Sequence, residues 1–348
     1  MNKILADYDI NELLGLLCGQ PKYIAKQILS FCARGADIDG MTSLPKKLRD
    51  ELKLEFFEKP LYKAEIFNSK DGSAKFLFKL NDGNLIESVF LPNNYGNTVC
   101  VSSQVGCRMG CAFCASGMDG LARNLSAGEM LSQVALINSH FGGSLKERAV
   151  SNIVMMGSGE PLDNYDNTLK FVNLISSPDG LNVSERNISV STSGLCDGIV
   201  KLAESGHNVT LSISLHAPND DIRKQIMPIA KRYTVKEVVG SAKYYFEKTG
   251  RRVIFEYSLI KGVNDSLECA KELSELLKGF PLHVNLINLN PVKDAGLKPS
   301  GKDRAGLFLA ELEKKNVSAT FRRSLGSDIE GACGQLKRKY LKEVSHDH

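Results

Sequence analysis

Three closely spaced cysteines are the residues of this sequence best suited to chemistry. They form Cys107-Arg-Met-Gly-Cys111-Ala-Phe-Cys114, a C-x3-C-x2-C arrangement. Thiolates gathered this closely require a cation, and soft sulfur ligands suit zinc or an iron-sulfur cluster. His140 does not stand at zinc-finger spacing and no second cysteine pair follows, so a closed four-ligand zinc site has no local completion. Three cysteines on a four-iron cluster would leave one iron open to another ligand.

Further polar clusters follow apolar segments that the pattern predicts to be successive parallel strands. The carboxyl ends of such strands form the active-site edge of a β/α barrel. The clusters are Gly157-Ser-Gly159-Glu160, Ser191-Thr192-Ser193, Ser214-Leu215-His216 and Asn288-Leu-Asn290. Glycines permit close approach of a ligand, and a glutamate accepts from an ammonium group. His216 alone would more often be a structural histidine and Ser191 a strand-end hydroxyl, but their common edge favours ligand binding.

The elements that must position these residues alternate between apolar β segments and amphipathic helices. We predict strands at 98–103, 152–156, 187–192, 208–214, 252–259 and 283–289, with a possible seventh at 317–321. Two intervening helices begin with capping signals, Ser126 with Glu129 and Asp265 with Glu268. The predicted fold class is α/β, a partial (β/α)6 TIM-like barrel.

The first 92 residues follow other patterns. Apolar positions at helical spacing and a helix start at Leu44-Pro45 predict a small helical unit, and KFLFKL and NLIESVFL predict a hairpin through Asn81-Asp82-Gly83-Asn84. We therefore divide the chain into four parts. They are an N-terminal helical accessory domain (1–60), a β-hairpin linker region (61–92), the core with a C-terminal loop (93–336) and a basic tail (337–348).

Composition excludes several classes of protein. The chain has 348 residues, of which 43% are hydrophobic and 24% charged, so a disordered or fibrous chain is excluded. No apolar run is long enough to span a membrane and the N-terminus lacks a secretory signal, which predicts a cytoplasmic protein. The nine cysteines then favour metal ligands, reactive thiols and buried residues over a disulfide framework. A net charge of +4 is too mild to indicate a nucleic-acid partner.

Several motifs together resemble one enzyme family. VCVSSQVGCRMGCAFCASG, MMGSGEP, STSG, SLHAPND, MPI, GVNDS, HVNLI and SDIEGACGQL extend almost continuously from about 97 to 336. They resemble the RlmN family of RNA adenine C2 methyltransferases, within the radical S-adenosylmethionine (SAM) superfamily. The resemblance implies a [4Fe-4S] cluster on the three cysteines and SAM on its open iron. It assigns the SAM contacts to Gly159, Glu160, Ser191, Ser214, Leu215, His216 and Asn290. Gly-Ser-Gly replaces the more usual Gly-Met-Gly before Glu160, which leaves the affinity for SAM open.

The resemblance also implies a mechanism that uses two further cysteines. Adenine C2 is not nucleophilic, so a polar transfer of the SAM methyl group is implausible. In the family mechanism Cys333 takes a methyl group from one SAM, and a second SAM yields the 5′-deoxyadenosyl radical that activates this methyl for addition to C2. Cys100 releases the product by forming a disulfide with Cys333, external thiols reduce that bond, and Glu87 takes the C2 proton. From the residues alone, we would interpret Glu87 as an exposed strand charge and Cys333 as a loop or buried thiol.

The sequence also allows predictions for the four remaining cysteines and for the partners of the protein. Cys18, Cys32, Cys196 and Cys269 lack such a context and read as structural. The resemblance implies 23S ribosomal RNA as substrate, in the peptidyl transferase region, with adenosine 37 of certain transfer RNAs as a further target in many members. It also implies an external electron donor such as a flavodoxin or ferredoxin, while a monomer is the default. Basic residues flank Cys333 in sequence: Arg322, Arg323, Lys337, Arg338 and Lys339.

Two alternatives stay open at this point. The related C8 methyltransferases of antibiotic-resistance type share the cluster, both catalytic thiols and the ribosomal target, but the proline in MMGSGEP and the STSG segment favour the C2 enzymes. An alternative from another class is a non-catalytic RNA-binding protein with a zinc site on the three cysteines. It predicts bound zinc and no cleavage of SAM.

Overall fold

The computed structural model describes residues 3–290, 296–322 and 325–329. Three helices come first, α1 (Ile10–Leu16), α2 (Lys22–Ala33) and α3 (Lys46–Glu55). Pro45 stands directly before α3, as the Leu44-Pro45 signal predicts. Leu13 of α1 and Ile28 of α2 are fully buried and belong to the same hydrophobic cluster as the strands of the sheet. Whether residues 1–60 form a domain of their own stays a prediction.

Three antiparallel strands follow, β1 (Leu61–Asn68), β2 (Ala74–Leu80) and β3 (Leu85–Leu91). The predicted hairpin is confirmed, since β2 and β3 pair across the Asn81 to Asn84 turn with Lys79 opposite Leu85. β1 was not predicted from sequence, because its residues are mostly exposed at the sheet edge and show no alternation of apolar and polar positions. β3 also pairs with the first strand of the core, so this meander extends the main sheet.

The core alternates strands and helices along the chain. Its strands are β4 (Thr98–Cys100), β5 (Gln104–Gly106), β6 (Leu121–Asn124), β7 (Asn152–Met155), β8 (Ile188–Thr192), β9 (Thr210–Ser214), β10 (Val253–Leu259), β11 (Leu282–Asn288) and β12 (Ala319–Phe321). Its helices are α4 (Ala127–His140), α5 (Tyr165–Ser176), α6 (Cys196–Glu204), α7 (Asp220–Ile226), α8 (Val235–Thr249), α9 (Leu267–Leu276) and α10 (Lys302–Lys314).

Apart from β5 and β6, which pair only with each other, the described strands form an open sheet of ten, in the order β1-β2-β3-β4-β7-β8-β9-β10-β11-β12. From β4 to β12 every neighbouring pair is parallel. The six predicted barrel strands and the possible seventh are thus confirmed, with ends shifted by up to three residues. Since β1 and β12 each have one sheet neighbour among the described residues, the barrel is partial, as predicted. Each helix of the part described is too short or too polar to cross a membrane.

Alternation along the strands separates two faces of the sheet. Ile153, Val190 and Phe255 are buried in the core beneath the helices, as expected where βα crossovers cover a parallel sheet. The opposite, inner face carries half-buried residues such as Val154 and Ser191. This inner face lines the interior of the partial barrel, and the site described below lies at the carboxyl ends of its strands.

Capping explains where the helices begin. Ser126 and Glu129 form the predicted capping box on α4, with Glu129 N donating to Ser126 Oγ at 3.2 Å. The predicted cap of α9 is wrong by one residue, since Ser266 and not Asp265 accepts from the first turn. Asp265 accepts instead from Gly262 N, 3.0 Å away, and so closes the preceding turn.

Candidate active site

The cysteine segment lies in a loop whose two ends are joined by a short antiparallel ribbon. β5 ends just before Cys107, and β6 begins after Cys114. The two strands pair with each other. A Cβ atom at Gly106, where φ is +76°, would stand 2.0 Å from the Gly120 carbonyl oxygen, so only glycine permits this closure. The sequence did not indicate this ribbon, because its strands have three and four residues.

The loop is also attached to the barrel along its length. Arg108 Nε donates to Asp163 Oδ2 at 2.8 Å, after β7. Ala112 N donates to the Ile226 carbonyl oxygen at 2.9 Å, at the end of α7. Cys111 packs on a small apolar cluster that includes Ile226. These contacts hold the loop over the carboxyl ends of the strands.

The chemistry of the three thiols fits an iron-sulfur cluster. Burial, with smaller contributions from the charges of Glu160 and Cys114, raises the pKa of Cys107 to about 12. The pKa of Cys111 is raised by the same causes, burial first and then Cys114 and Cys107. Thiols whose pKa is raised in this way need a cation beside them in order to ionise. In the part of the chain that the structure covers, no three His, Cys, Asp or Glu side chains are grouped as a single metal ion requires. A four-iron cluster would not require such a grouping, since each of the three cysteines would hold a different iron.

The glycines after β7 pack against the chain that follows β4. A Cβ atom on Gly157 would meet Ser102 Oγ at 2.6 Å, and one on Gly159, where φ is +112°, would meet Gln104 Cβ at 2.6 Å. Ser158 N donates to Ser102 Oγ at 2.9 Å. The close approach that requires glycine here is therefore to the protein's own chain. A contact between Gly159 and SAM stays a prediction.

Glu160 joins the loops that follow β7 and β8. The residue is 3% exposed, its Oε1 accepts from Leu162 N at 3.1 Å and its Oε2 from Ser193 N at 2.6 Å. Burial raises the pKa of this carboxyl, and these hydrogen bonds oppose the shift. Each oxygen retains a lone pair that can accept from an ammonium group.

The strand-end hydroxyls of β8 have different positions. Thr192 Oγ1 accepts from Gly194 N at 3.1 Å and Leu195 N at 3.3 Å, so it stabilises the turn into α6. Ser191 is half-buried on the inner face and stands opposite Ser212 of β9. Of these two hydroxyls, Ser191 is the one on the ligand side of the sheet.

His216 has a structural hydrogen bond and also lies at the carboxyl ends of the strands, where the site is. Its backbone has φ of +54°, and its Nδ1 accepts from Ser258 N at 2.9 Å. Burial, and then the charge of Arg223, lowers its pKa to about 3, so the ring is neutral with its proton on Nε2. The ring meets Phe113 of the cysteine loop edge-on, with centroids 4.7 Å apart. Leu215 is fully buried and its N donates to the Glu256 carbonyl oxygen at 3.1 Å, so a contact with SAM stays a prediction, whereas Ser214 is half-buried.

Arg223 is a central residue that sequence reasoning missed. It is fully buried and donates to three carbonyl oxygens, those of Ser193 at 2.6 Å, Leu215 at 3.1 Å and Ser214 at 3.2 Å. It therefore ties the loop after β8 to the loop after β9. An arginine on an otherwise amphipathic helix start, close behind SLHAPND, was the only signal in the sequence.

The sheet brings Glu87 and Cys100 to the same face. Val89 stands directly opposite Cys100 across the β3–β4 pair, and Glu87 lies two residues from Val89. Glu87 is 6% exposed, so the reading of this residue as an exposed strand charge is wrong. Lys75 of β2, also opposite Val89, is fully buried on this face and was missed by sequence reasoning.

The remaining residues predicted from the sequence differ in exposure, and some of them lie outside the described residues. Asn290 is exposed, two residues beyond β11, and follows Leu289, which belongs to the apolar cluster on which Cys111 packs. Cys333, Arg323 and the basic tail lie outside the described residues, so the predicted Cys100–Cys333 disulfide stays a prediction. Cys32, Cys196 and Cys269 are buried as expected of structural thiols, whereas Cys18 is exposed.

A three-cysteine loop held over the carboxyl edge of a partial parallel barrel defines a radical SAM protein. Residues 101–273 match the radical SAM superfamily. A solved radical SAM methyltransferase from Sphaerobacter thermophilus superposes with a TM-score of 0.91 and 44% identity, over 95% of this chain and 98% of that one.

Curated relatives narrow the class to one family. A protein of Lachnospira eligens named probable dual-specificity RNA methyltransferase RlmN is 49% identical over 97% of this chain and 96% of its own length. One of the same name from Lachnoclostridium phytofermentans is 50% identical over 94% of this chain and 92% of its own. The chain belongs to the RlmN family and is a radical SAM RNA methyltransferase. This excludes the non-catalytic zinc protein. The superfamily implies SAM and a [4Fe-4S] cluster as cofactors.

Proposed function

We propose that the protein methylates C2 of adenosine in RNA through a methyl group carried on Cys333. The observation that carries the proposal is the placement of Glu87 and Cys100 on one inner face, beside the strands whose ends lie beneath the cysteine loop. A base and a resolving thiol are needed together only if the product is first attached to the enzyme. The C2-type motifs MMGSGEP and STSG support the position of methylation.

The residues that would hold the cofactors are Cys107, Cys111 and Cys114 for the cluster. For SAM they are Gly159, Glu160, Ser191, Ser214, Leu215, His216 and Asn290. When bound, the cluster supplies the electron that cleaves SAM. Glu160 would accept from the amino group of SAM, and His216 can donate only from Nε2, because Nδ1 already accepts from Ser258 N. Arg223, which is fully buried, would hold the loops after β8 and β9 that carry several of these residues.

Three side chains would handle the methyl group and the proton. The Cys333 sulfur carries the methyl carbon, and Glu87 accepts the proton that leaves C2. The Cys100 thiolate would then bond to the Cys333 sulfur as the bond between that sulfur and the transferred carbon breaks. The carbon takes up a proton to complete the methyl group of the product, and external thiols reduce the disulfide.

The RNA substrate must present the adenine outside a stack, since the inner face is enclosed by the sheet and the cysteine loop. We infer the peptidyl transferase region of 23S ribosomal RNA as the main substrate, with adenosine 37 of transfer RNA as a second. A flavodoxin or ferredoxin would supply electrons to a monomeric enzyme. RNA affinity should fall steeply with salt, and a flat salt dependence would contradict an RNA substrate.

The test is anaerobic turnover of the reconstituted enzyme with ribosomal RNA fragments, scored by nucleoside mass spectrometry. We expect 2-methyladenosine, whereas 8-methyladenosine would identify the alternative C8 enzyme. Cys333→Ala should abolish product, and Cys100→Ala should accumulate a covalent enzyme–RNA species on denaturing gels. Cys18→Ala, at an exposed thiol outside the site, serves as the control and should behave as wild type. Normal turnover by Cys333→Ala would refute the mechanism.

A further inference from the structure

A buried carboxylate on the inner face has an oxygen that the described residues leave unsatisfied. Glu256, in the middle of β10, is 3% exposed. Its Oε1 accepts from Asn285 Nδ2 at 3.0 Å, whereas its Oε2 has no hydrogen-bond partner within the described part of the chain. A buried acceptor left without a donor costs free energy, so such an atom indicates a missing donor.

The neighbours of Glu256 show where that donor must come from. Ser214 of β9 and Asn285 of β11 stand directly beside Glu256 in the parallel register, so the carboxylate faces the barrel interior. The Arg322 guanidinium is 3.9 Å from Oε2, too far for a hydrogen bond, and its Nη1 donates to Met156 Sδ at 3.2 Å. Asn285 holds Oε1 in place, which leaves Oε2 directed at the interior beside a cation.

This arrangement matches one edge of adenine. The exocyclic 6-amine is a donor and the ring nitrogen next to it an acceptor, so the amine suits a carboxylate oxygen and the ring nitrogen suits an arginine. Guanine carries an acceptor, O6, in place of the amine and would be repelled by the carboxylate. Displaced bases are commonly read through such edges in enclosed pockets.

We propose that Glu256 selects the substrate adenine by accepting a hydrogen bond from its 6-amine, with Arg322 beside the ring. This inference rests on the proposed function, in which the base enters the inner face. SAM also carries an adenine, and Ser214, one of its proposed contacts, stands directly beside Glu256, so the experiment has to distinguish the two adenines. Glu256 and Arg322 lie toward β12, and Arg322 precedes the proposed methyl carrier Cys333 by eleven residues.

The experiment compares two substrates in the reconstituted holoenzyme. Ribosomal RNA hairpins carry at the target position either adenosine or purine ribonucleoside, which lacks the 6-amine. Glu256→Gln keeps the size of the side chain and an oxygen for Asn285. We expect it to lower kcat/KM for the adenosine hairpin by about 10- to 100-fold, since a charged hydrogen bond is weakened. For the purine hairpin, wild type and variant should agree within about threefold.

A second arm and a control distinguish recognition of the substrate adenine from SAM binding and from general damage to the fold. SAM binding, measured by equilibrium dialysis without RNA, should be unchanged in Glu256→Gln, and a tenfold weakening would assign the carboxylate to SAM and overturn the inference. Equal losses on both hairpins, or no loss on either, would also overturn it. Glu247→Gln, at an exposed position of α8, should match wild type throughout. A wild-type enzyme inactive on the adenosine hairpin would instead refute the proposed function, and the inference with it.

Discussion

At the scale of single residues, Arg223 connects two loops of the site, and its loss should disturb both. Its guanidinium spans the loops after β8 and β9 by donating to three carbonyl groups. A lysine keeps the charge but cannot reproduce this fork. Arg223→Lys should lower the free energy of unfolding by about 2–4 kcal/mol and weaken SAM binding at least tenfold, measured by urea titration and equilibrium dialysis. Arg186→Lys, at an exposed position, is the control, and equal stability of the two variants would contradict the bridging role.

His216 makes stability depend on pH. Its folded pKa of about 3 lies below the ordinary value near 6.5. The unfolded chain therefore binds more protons between these values, and the stability contributed above pH 6.5 is lost as the pH falls. Between pH 7 and pH 5 wild type should lose about 2 kcal/mol more than His216→Gln, measured by urea unfolding at both values. Parallel losses in the two proteins would show that His216 protonates freely in the fold.

At the scale of elements, the β5–β6 ribbon determines where the cysteine loop closes. Gly106 and Gly120 both have positive φ, but a Cβ atom collides with backbone only at Gly106. Gly120→Ala should therefore cost about 1 kcal/mol from strain, whereas Gly106→Ala should force the ribbon apart. The measurement is iron and sulfide per chain after anaerobic reconstitution. We expect at least a fivefold loss for Gly106→Ala alone, and full loading of that variant would disprove the role of the closure.

The sequence correctly predicted those elements that depend only on residues close to one another in the chain. The Ser126–Glu129 box and the Asn81–Asn84 turn were found because each depends on contacts between near neighbours in sequence. β1, β5 and β6 were missed, since an exposed edge strand and strands of three or four residues carry little periodicity. The cap of α9 was placed one residue early because Asp265 and Ser266 are both good caps, and only the Gly262 turn decides between them.

At the scale of the whole molecule, the N-terminal helices share one core with the barrel. Gly128 of α4 lies so close to the N-terminal segment that a Cβ atom would meet the Ala6 carbonyl carbon at 2.7 Å, and its N donates to Asp7 Oδ1 at 2.6 Å. Ile28→Ala, in this shared core, should lower the stability of the entire protein by about 2–5 kcal/mol. Calorimetry should show a single unfolding transition, and its midpoint should be lower in Ile28→Ala than in wild type. A second, unshifted transition would establish residues 1–60 as an independent domain.

The sequence by itself determined the class of fold, the three-cysteine loop and the clusters at the strand ends. These depend on periodicity and on spacings that lie within single segments. The tertiary structure alone decided that Glu87 is buried on the same face of the sheet as Cys100, that Arg223 ties two loops, and that Glu256 has an oxygen left unsatisfied by the described residues. Burial and pairing of this kind are properties of strand register and packing between residues distant in sequence, which no local pattern encodes.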